Sequence, residues 1–257
     1  MSTPHGKFVW YELMTTDAKA AETFYRDVVG WTAKDAGMPG MAYTLFSAGE
    51  TQVAGLMALP EDAADAGARS AWTGYVAVDD VDKRAKEVAR AGGTVHRQPA
   101  DIPGIGRFAI VADPQGATFA LFRGGDEGQP QSAPMTTPGH TGWHELYARD
   151  WQTVFAFYAN LFGWAKGDAM DMGATGVYQI FAQGGEPVGG MMNAPKELPA
   201  PSWHYYFNVN AIDATKARIE KRGGQIINGP MEVPGGQWIV QGFDPQGAMF
   251  ALVAPRR

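Results

Sequence analysis

Two glutamates stand at matching places in a repeated phrase, Trp10-Tyr11-Glu12-Leu13 and Trp143-His144-Glu145-Leu146. Both phrases read as strands, in which successive side chains point to opposite faces. Leu146 and Ala148 set the packed face, so Trp143, Glu145 and Tyr147 occupy the other. The stretch His204 to Val209 sorts in the same way. Tyr205, Phe207 and Val209 face the core, which leaves His204, Tyr206 and Asn208 on the open side. The first half offers Trp10, Glu12 and Met14 there, with Thr73, Tyr75 and Ala77. A carboxylate and an imidazole on open strand faces can form a general acid–base pair where their strands meet, so Glu145 and His204 are the candidate catalytic residues. The carboxylate favours a charged imidazole and burial opposes it, which would place the pair near neutral pH. Trp143, Tyr147, Tyr206, Asn208, Trp10, Glu12 and Tyr75 are candidate ligand-binding residues, the aromatic ones suited to holding a planar or amphipathic molecule. A buried glutamate demands a partner, such as a tyrosine hydroxyl, a histidine, a backbone amide or a ligand.

The elements that must position these residues come in repeats. Asp17 and Asp150 are helix N-caps. Ala21, Phe24, Tyr25 and Val28 fall on one helical face, as do Val154, Phe157, Tyr158 and Leu161. Gly30 and Gly163 end those helices, and Trp31 and Trp164 follow at once. Strands then follow at Trp31–Lys34, Ala42–Ser47 and Thr51–Ala58, with copies near Trp164, Val177–Ala182 and Pro187–Asn193. A further strand, Trp72–Val78, leads into a helix over Asp79–Ala91. Thr94–Arg97, Gly106–Ala112 and Ala117–Phe122 are strands, the last two joined by the turn Asp113-Pro114-Gln115-Gly116. The second half repeats all of this through Trp203–Val209, Ile212–Arg222, Gln225–Ile227, Gln237–Gly242, Asp244-Pro245-Gln246-Gly247 and Ala248–Val253. The chain is an internal duplication, each half reading strand-helix-strand-strand-strand twice. Residues 1–123 and 139–257 are the two domains and 124–138, rich in Gly, Pro, Gln and Ser, is their linker. Glu61–Arg69 and Ala194–Pro201 read as shorter linkers.

Composition narrows the classes. The 257 residues are 45% hydrophobic and 12% aromatic, enough for packed cores. A net charge of -6 with no basic run argues against nucleic acid. There is no cysteine, so disulfides, thiolate catalysis and Cys-ligated zinc are excluded. No apolar run reaches the length of a membrane span and the N-terminus lacks a signal peptide's apolar core, so a cytoplasmic protein is expected. A monomer or homodimer with a small-molecule partner is the expected state.

The strand-Asp-helix opening that ends in Phe-Tyr-x-x-x-x-Gly-Trp, and the Asp-Pro-Gln-Gly turn before a final strand, resemble the vicinal oxygen chelate superfamily. Its members include glyoxalase I, extradiol dioxygenases and bleomycin-resistance proteins. The tandem Trp-x-Glu-Leu arrangement is similar to a bacterial group of two-domain glyoxalase-like proteins, some of them labelled hydroxylases or antigens. The resemblance implies an α+β fold of tandem domains, each made of two paired βαβββ modules in a curled, cup-shaped mixed sheet. It also implies a divalent metal in the cup of the enzymes, ligated by a His that opens the first strand and a Glu near the start of the last. Those positions hold Trp10, Trp143, Ala120 and Ala251 here. The opening of the second module offers Thr73 in one half and His204 in the other. Indole and methyl groups do not coordinate a divalent ion, and one histidine falls short of the roughly three N or O ligands required. No metal and no other cofactor is therefore expected. His144 reads as a packed or boundary histidine, and His5, His96 and His140 as terminal or loop residues.

Three functions remain. A metal-independent small-molecule-binding protein of the bleomycin-resistance type is favoured. A metal-free glyoxalase-like enzyme, with Glu145 and His204 acting on a small carbonyl compound, is the alternative. An interaction domain with empty cups is disfavoured by the inward aromatics. The polar cluster of the second half points to the C-terminal cup as the active one.

Overall fold

The computed structural model describes residues 4–125, 133–195, 198 and 200–257, so residues 126–132 of the expected linker lie outside the described residues. The first half runs β1 (Phe8–Thr15), α1 (Ala18–Val29), β2 (Thr32–Asp35), β3 (Tyr43–Ala48), β4 (Thr51–Ala58), α2 (Glu61–Asp65), β5 (Ala71–Ala77), α3 (Val81–Arg90), β6 (Thr94–Ile102), β7 (Gly106–Ala112) and β8 (Thr118–Gly124). The second half runs β9 (Thr141–Ala148), α4 (Trp151–Phe162), β10 (Ala165–Asp171), β11 (Val177–Gln183), β12 (Glu186–Asn193), β13 (Ser202–Asn208), α5 (Ile212–Lys221), β14 (Gln225–Val233), β15 (Gln237–Phe243) and β16 (Met249–Ala254). Each half forms one mixed eight-stranded sheet, in the orders β2-β3-β4-β1-β5-β8-β7-β6 and β10-β11-β12-β9-β13-β16-β15-β14. The α+β tandem architecture that the resemblance implies is the one present.

Local signals explain the helices. Asp17 accepts from the amide of Ala20, and Asp150 from those of Gln152 and Thr153, which satisfies orphan N–H groups of the first turn. Gly30 and Gly163 close α1 and α4 in the left-handed conformation, at φ 90 and 74. The expected stripes are buried on both helices.

Packing then interleaves the two halves. One compact unit joins Met1–Val9, Gly74–Gln131 and His144–Trp203; the other joins Trp10–Thr73, Ser132–Trp143 and His204–Arg257. In the second of these, Tyr25 of α1 donates to Oδ2 of Asp244 at 3.0 Å and accepts from Trp72 Nε1 at 2.9 Å. Asp244 Oδ1 takes the amides of Gln246 and Ala248. Trp31 and Trp72 each meet Phe207 edge-on at 4.9 Å. The first unit repeats the device with the halves exchanged. Tyr158 of α4 donates to Asp113 Oδ2 at 2.9 Å and accepts from Trp203 Nε1 at 3.0 Å, while Asp113 Oδ1 takes the amides of Gln115 and Ala117. The two motifs of the repeat thus meet each other across the sequence halves. Burial raises the pKa of both aspartates, with the bonds they accept pulling the other way.

Candidate functional site

In the second unit, Tyr11 packs edge-on against Tyr205 and Phe207, and Phe250 meets Phe24 of α1. These residues mark the packed face of β13 and β16. Alternation sends His204, Tyr206, Ala251 and Val253 to the opposite, open face. Tyr206 clusters there with Ile239, Ala251 and Val253, and half-buried Trp143 packs against them. The structure therefore brings Trp143 and Tyr206 together, as the alternation of the sequence suggests. His204 is buried beside them in sequence, and burial pushes its pKa down to about 3. Burial disfavours the charged imidazole, opposite in direction to the near-neutral pair expected. Glu145 is buried as well and belongs to the other compact unit.

Asn208 has a framing task. Its Nδ2 donates to the carbonyls of Met135 and His140, and its carboxamide fills the space a side chain at Gly142 would need. Both amide hydrogens hold the chain entering β9, so the group fixes Trp143 and Thr141 in place and has no donor left for a ligand.

Trp10 and Glu12 are joined through a residue that strand alternation did not single out. Trp10 Nε1 donates to Tyr43 Oη at 3.1 Å, and Tyr43 Oη donates to Glu12 Oε2 at 2.9 Å. This is the partner a buried carboxylate requires. Glu12 stands in register with Gly55 of β4, and Tyr43 lies across that glycine. A Cβ at Gly55 would come within 1.9 Å of the Tyr43 oxygen. In the first unit Glu145 is in register with Gly190 of β12, where a Cβ would come within 2.1 Å of Tyr178. A glycine inside a strand signals such a close approach, and it is the feature by which the sequence could have revealed Tyr43 and Tyr178. We expect Gly55→Ala to displace Tyr43 and to cost about 1–3 kcal/mol in denaturant unfolding. The same change in a Tyr43→Ala background should cost far less, and equal costs in the two backgrounds would show that the glycine serves something else.

Tyr75, in the first unit, is buried between Phe108 and Phe122, and Arg97 lies over the Phe108 ring at 4.9 Å. Tyr147 is buried on β9, in register with Met192. His144 stacks on Phe8 at 4.1 Å and bonds through Nδ1 to the Val188 carbonyl, the packed role read from its position. Burial pushes its pKa down to about 4. His5 bonds to the carbonyl of Leu161, and His96 lies on β6, in the strand expected over Thr94–Arg97 and not in a loop. A surface groove of about 580 Å³ lies elsewhere, at the β6–β7 turn, where Arg107 is committed to Asp82 and Asp101.

The positions that would carry a metal do not fit one. Ala120 and Ala251 are fully buried methyl groups paired with Tyr75 and Tyr206. Trp10 offers an N–H donor that is already given to Tyr43. Among the described residues, no three His, Asp or Glu side chains gather where they could hold a metal ion.

Comparison with known proteins gives the family. The family model described as Glyoxalase/Bleomycin resistance protein/Dioxygenase superfamily matches residues 7–121 and again 137–252. This chain belongs to that superfamily. It is 33% identical over 252 residues to the glyoxylase-like protein CFP32 of Mycobacterium bovis, covering 96% of this chain and 94% of that one. It is 34% identical over 265 residues to the anthracycline biosynthesis protein DauV of Streptomyces sp. strain C5, covering 98% and 94%. Among solved structures it is similar to a Mn(II)-bound glyoxalase from Novosphingobium aromaticivorans, with a TM-score of 0.64 at 19% identity over 98% of this chain and 82% of that one. The 2,3-dioxygenase LapB from Pseudomonas sp. KL28 gives a TM-score of 0.66 at 13% identity, over 98% and 93%. At such identities these structures share the fold alone. No described helix is long and apolar enough to cross a membrane.

Proposed function

We propose that this superfamily member is a metal-independent small-molecule-binding protein whose ligand is planar and aromatic. The observation that carries the reading is the chemistry of the ligand positions. Where the enzymes of the superfamily place metal ligands, this chain has indoles and methyl groups, with a buried phenol in register beside each methyl. Indole and phenol rings bind flat apolar surfaces and fix polar edges, which is recognition and not Lewis-acid chemistry. The relatives named for anthracycline biosynthesis support a fused-ring ligand, since an anthracycline carries a flat polycyclic chromophore. The enzymatic alternative would need Glu145 and His204 to exchange a proton near neutrality, and His204 is held far below that range.

Doxorubicin, whose fluorescence is quenched on stacking, tests the reading. Titrated with the full chain, it should bind with Kd of about 10 μM or tighter, and Trp143→Ala should weaken binding about tenfold. Prior dialysis against EDTA should leave Kd unchanged. Absence of quenching up to about 1 mM protein, or binding that disappears with EDTA and returns with added Mn or Zn, would overturn the proposal.

A further inference from the structure

The open face of the second unit carries a polar chain that the other half lacks. Tyr206 of β13 and Gln241 of β15 both stand in register with Ala251 of β16, which lies between them. Alanine ends at its methyl, so the two longer side chains meet above it, with Gln241 Nε2 donating to Tyr206 Oη at 2.7 Å. Asn228, on the edge strand β14 and in register with Gln241, donates to Gln241 Oε1 at 2.9 Å. Tyr206 and Gln241 are buried and Asn228 is exposed, so the chain runs inward from solvent with its donors aligned. Trp143, Val233 and Ile239 flank it. Met231, in register with Ile239, shares this face and is 40% exposed.

The duplication supplies an internal control. Ala120 lies between Tyr75 and Ile110 in the same registers, so Ile110 stands where Gln241 stands. The fold is built equally well with an aliphatic residue there. Burying an amide carries a desolvation cost that isoleucine avoids, and structure alone does not call for it.

Resting on the ligand-binding reading above, we propose that Tyr206, Gln241 and Asn228 form a specificity-determining polar edge. It selects planar aromatic ligands bearing a ring carbonyl or hydroxyl over the corresponding hydrocarbons. The ring lies against Trp143 and the Met231–Val233 edge, and a ligand oxygen accepts from the amide end of the chain. A hydrocarbon in the same place desolvates these polar groups without replacing their water.

Anthraquinone-2-sulfonate and anthracene-2-sulfonate share a three-ring frame and a charge and differ in two ring carbonyls. Calorimetric titration of the full chain with each should show the quinone binding about tenfold more tightly. Gln241→Ile, which copies the other half, should weaken the quinone and, by removing the desolvation cost, tighten the hydrocarbon until the two affinities converge. Asn228→Ala, at an exposed position on the edge strand, should shrink the preference in the same direction. Equal affinities in the natural chain, or a preference that survives both substitutions, would overturn the polar edge while leaving the binding reading intact. Failure of both probes to bind the natural chain would overturn both.

Discussion

Expressed alone, residues 1–125 will not fold as a monomer, and neither will residues 133–257. Each half contains a complete sheet, so the family match over 7–121 and 137–252 would suggest two self-sufficient domains. The cores say otherwise. Tyr25, Trp31 and Trp72 belong to the first half, and the Asp244, Phe207 and Phe250 they pack against belong to the second. Tyr158, Trp164 and Phe162 of the second half depend in turn on Asp113, Gly6 and Phe119 of the first. Separation exposes these aromatics, each worth about 1.5–3 kcal/mol of burial, and strips two buried carboxylates of their phenol partners. The sum is comparable to the whole stability of an ordinary domain, about 5–15 kcal/mol. Size-exclusion chromatography with light scattering should find each half aggregated or self-associated, and circular dichroism should find no cooperative monomeric melt. Co-expressed, the halves should recover one 1:1 species that melts as the intact chain does. A half that stays monomeric and unfolds cooperatively would show that the interleaved cores are dispensable.

The sequence shows the elements well and their partners poorly. The helix stripes and the caps at Asp17 and Asp150 are local and periodic, and they hold. The strands β6 and β14 run past the expected Arg97 and Ile227 to Ile102 and Val233. Pro99 and Pro230 lie within these strands, and both strands are sheet edges with register shifts, where a missing N–H is tolerated. Pro60 with the alanines after it forms α2 where a linker was expected. The Asp-Pro-Gln-Gly turn looks like a turn and nothing more. That its carboxylate reaches a tyrosine of the opposite half is a tertiary fact with no local signal. Trp143 packs with Tyr206 on the face that alternation assigns to both. Tyr43 was hidden, because its reach to Glu12 depends on the glycine opposite and not on any period. Gln241 was hidden because its strand reads as a core strand, and only comparison with Ile110 at the equivalent register sets it apart.

Stability should fall steeply as pH drops below about 6.5, and two buried histidines should account for most of the slope. His144 and His204 titrate near 6.5 in an unfolded chain and are held down to about 4 and about 3 in the folded one, both chiefly by burial. Above 6.5 neither state binds the proton and the fold keeps its full stability. Below 6.5 the unfolded chain takes up two protons that the native cores refuse, so the balance shifts toward unfolding until each folded pKa is reached. At about pH 4.5 the loss from the pair is on the order of 5 kcal/mol, a large part of a typical domain's stability. Asp113 and Asp244 act with the opposite sign. Their folded pKa values are raised by burial, so protonation on the way down favours the native state and offsets part of the loss. Urea unfolding at about pH 7.5 and about pH 4.5 measures the difference. In His144→Asn, which keeps a donor toward the Val188 carbonyl, and in His204→Asn, the difference should shrink by about 2–3 kcal/mol each, whatever either change does to stability at neutral pH. The double variant should be nearly flat, or slightly more stable in acid as the aspartates take over. An unchanged slope in both single variants would mean that the acid sensitivity lies in other groups.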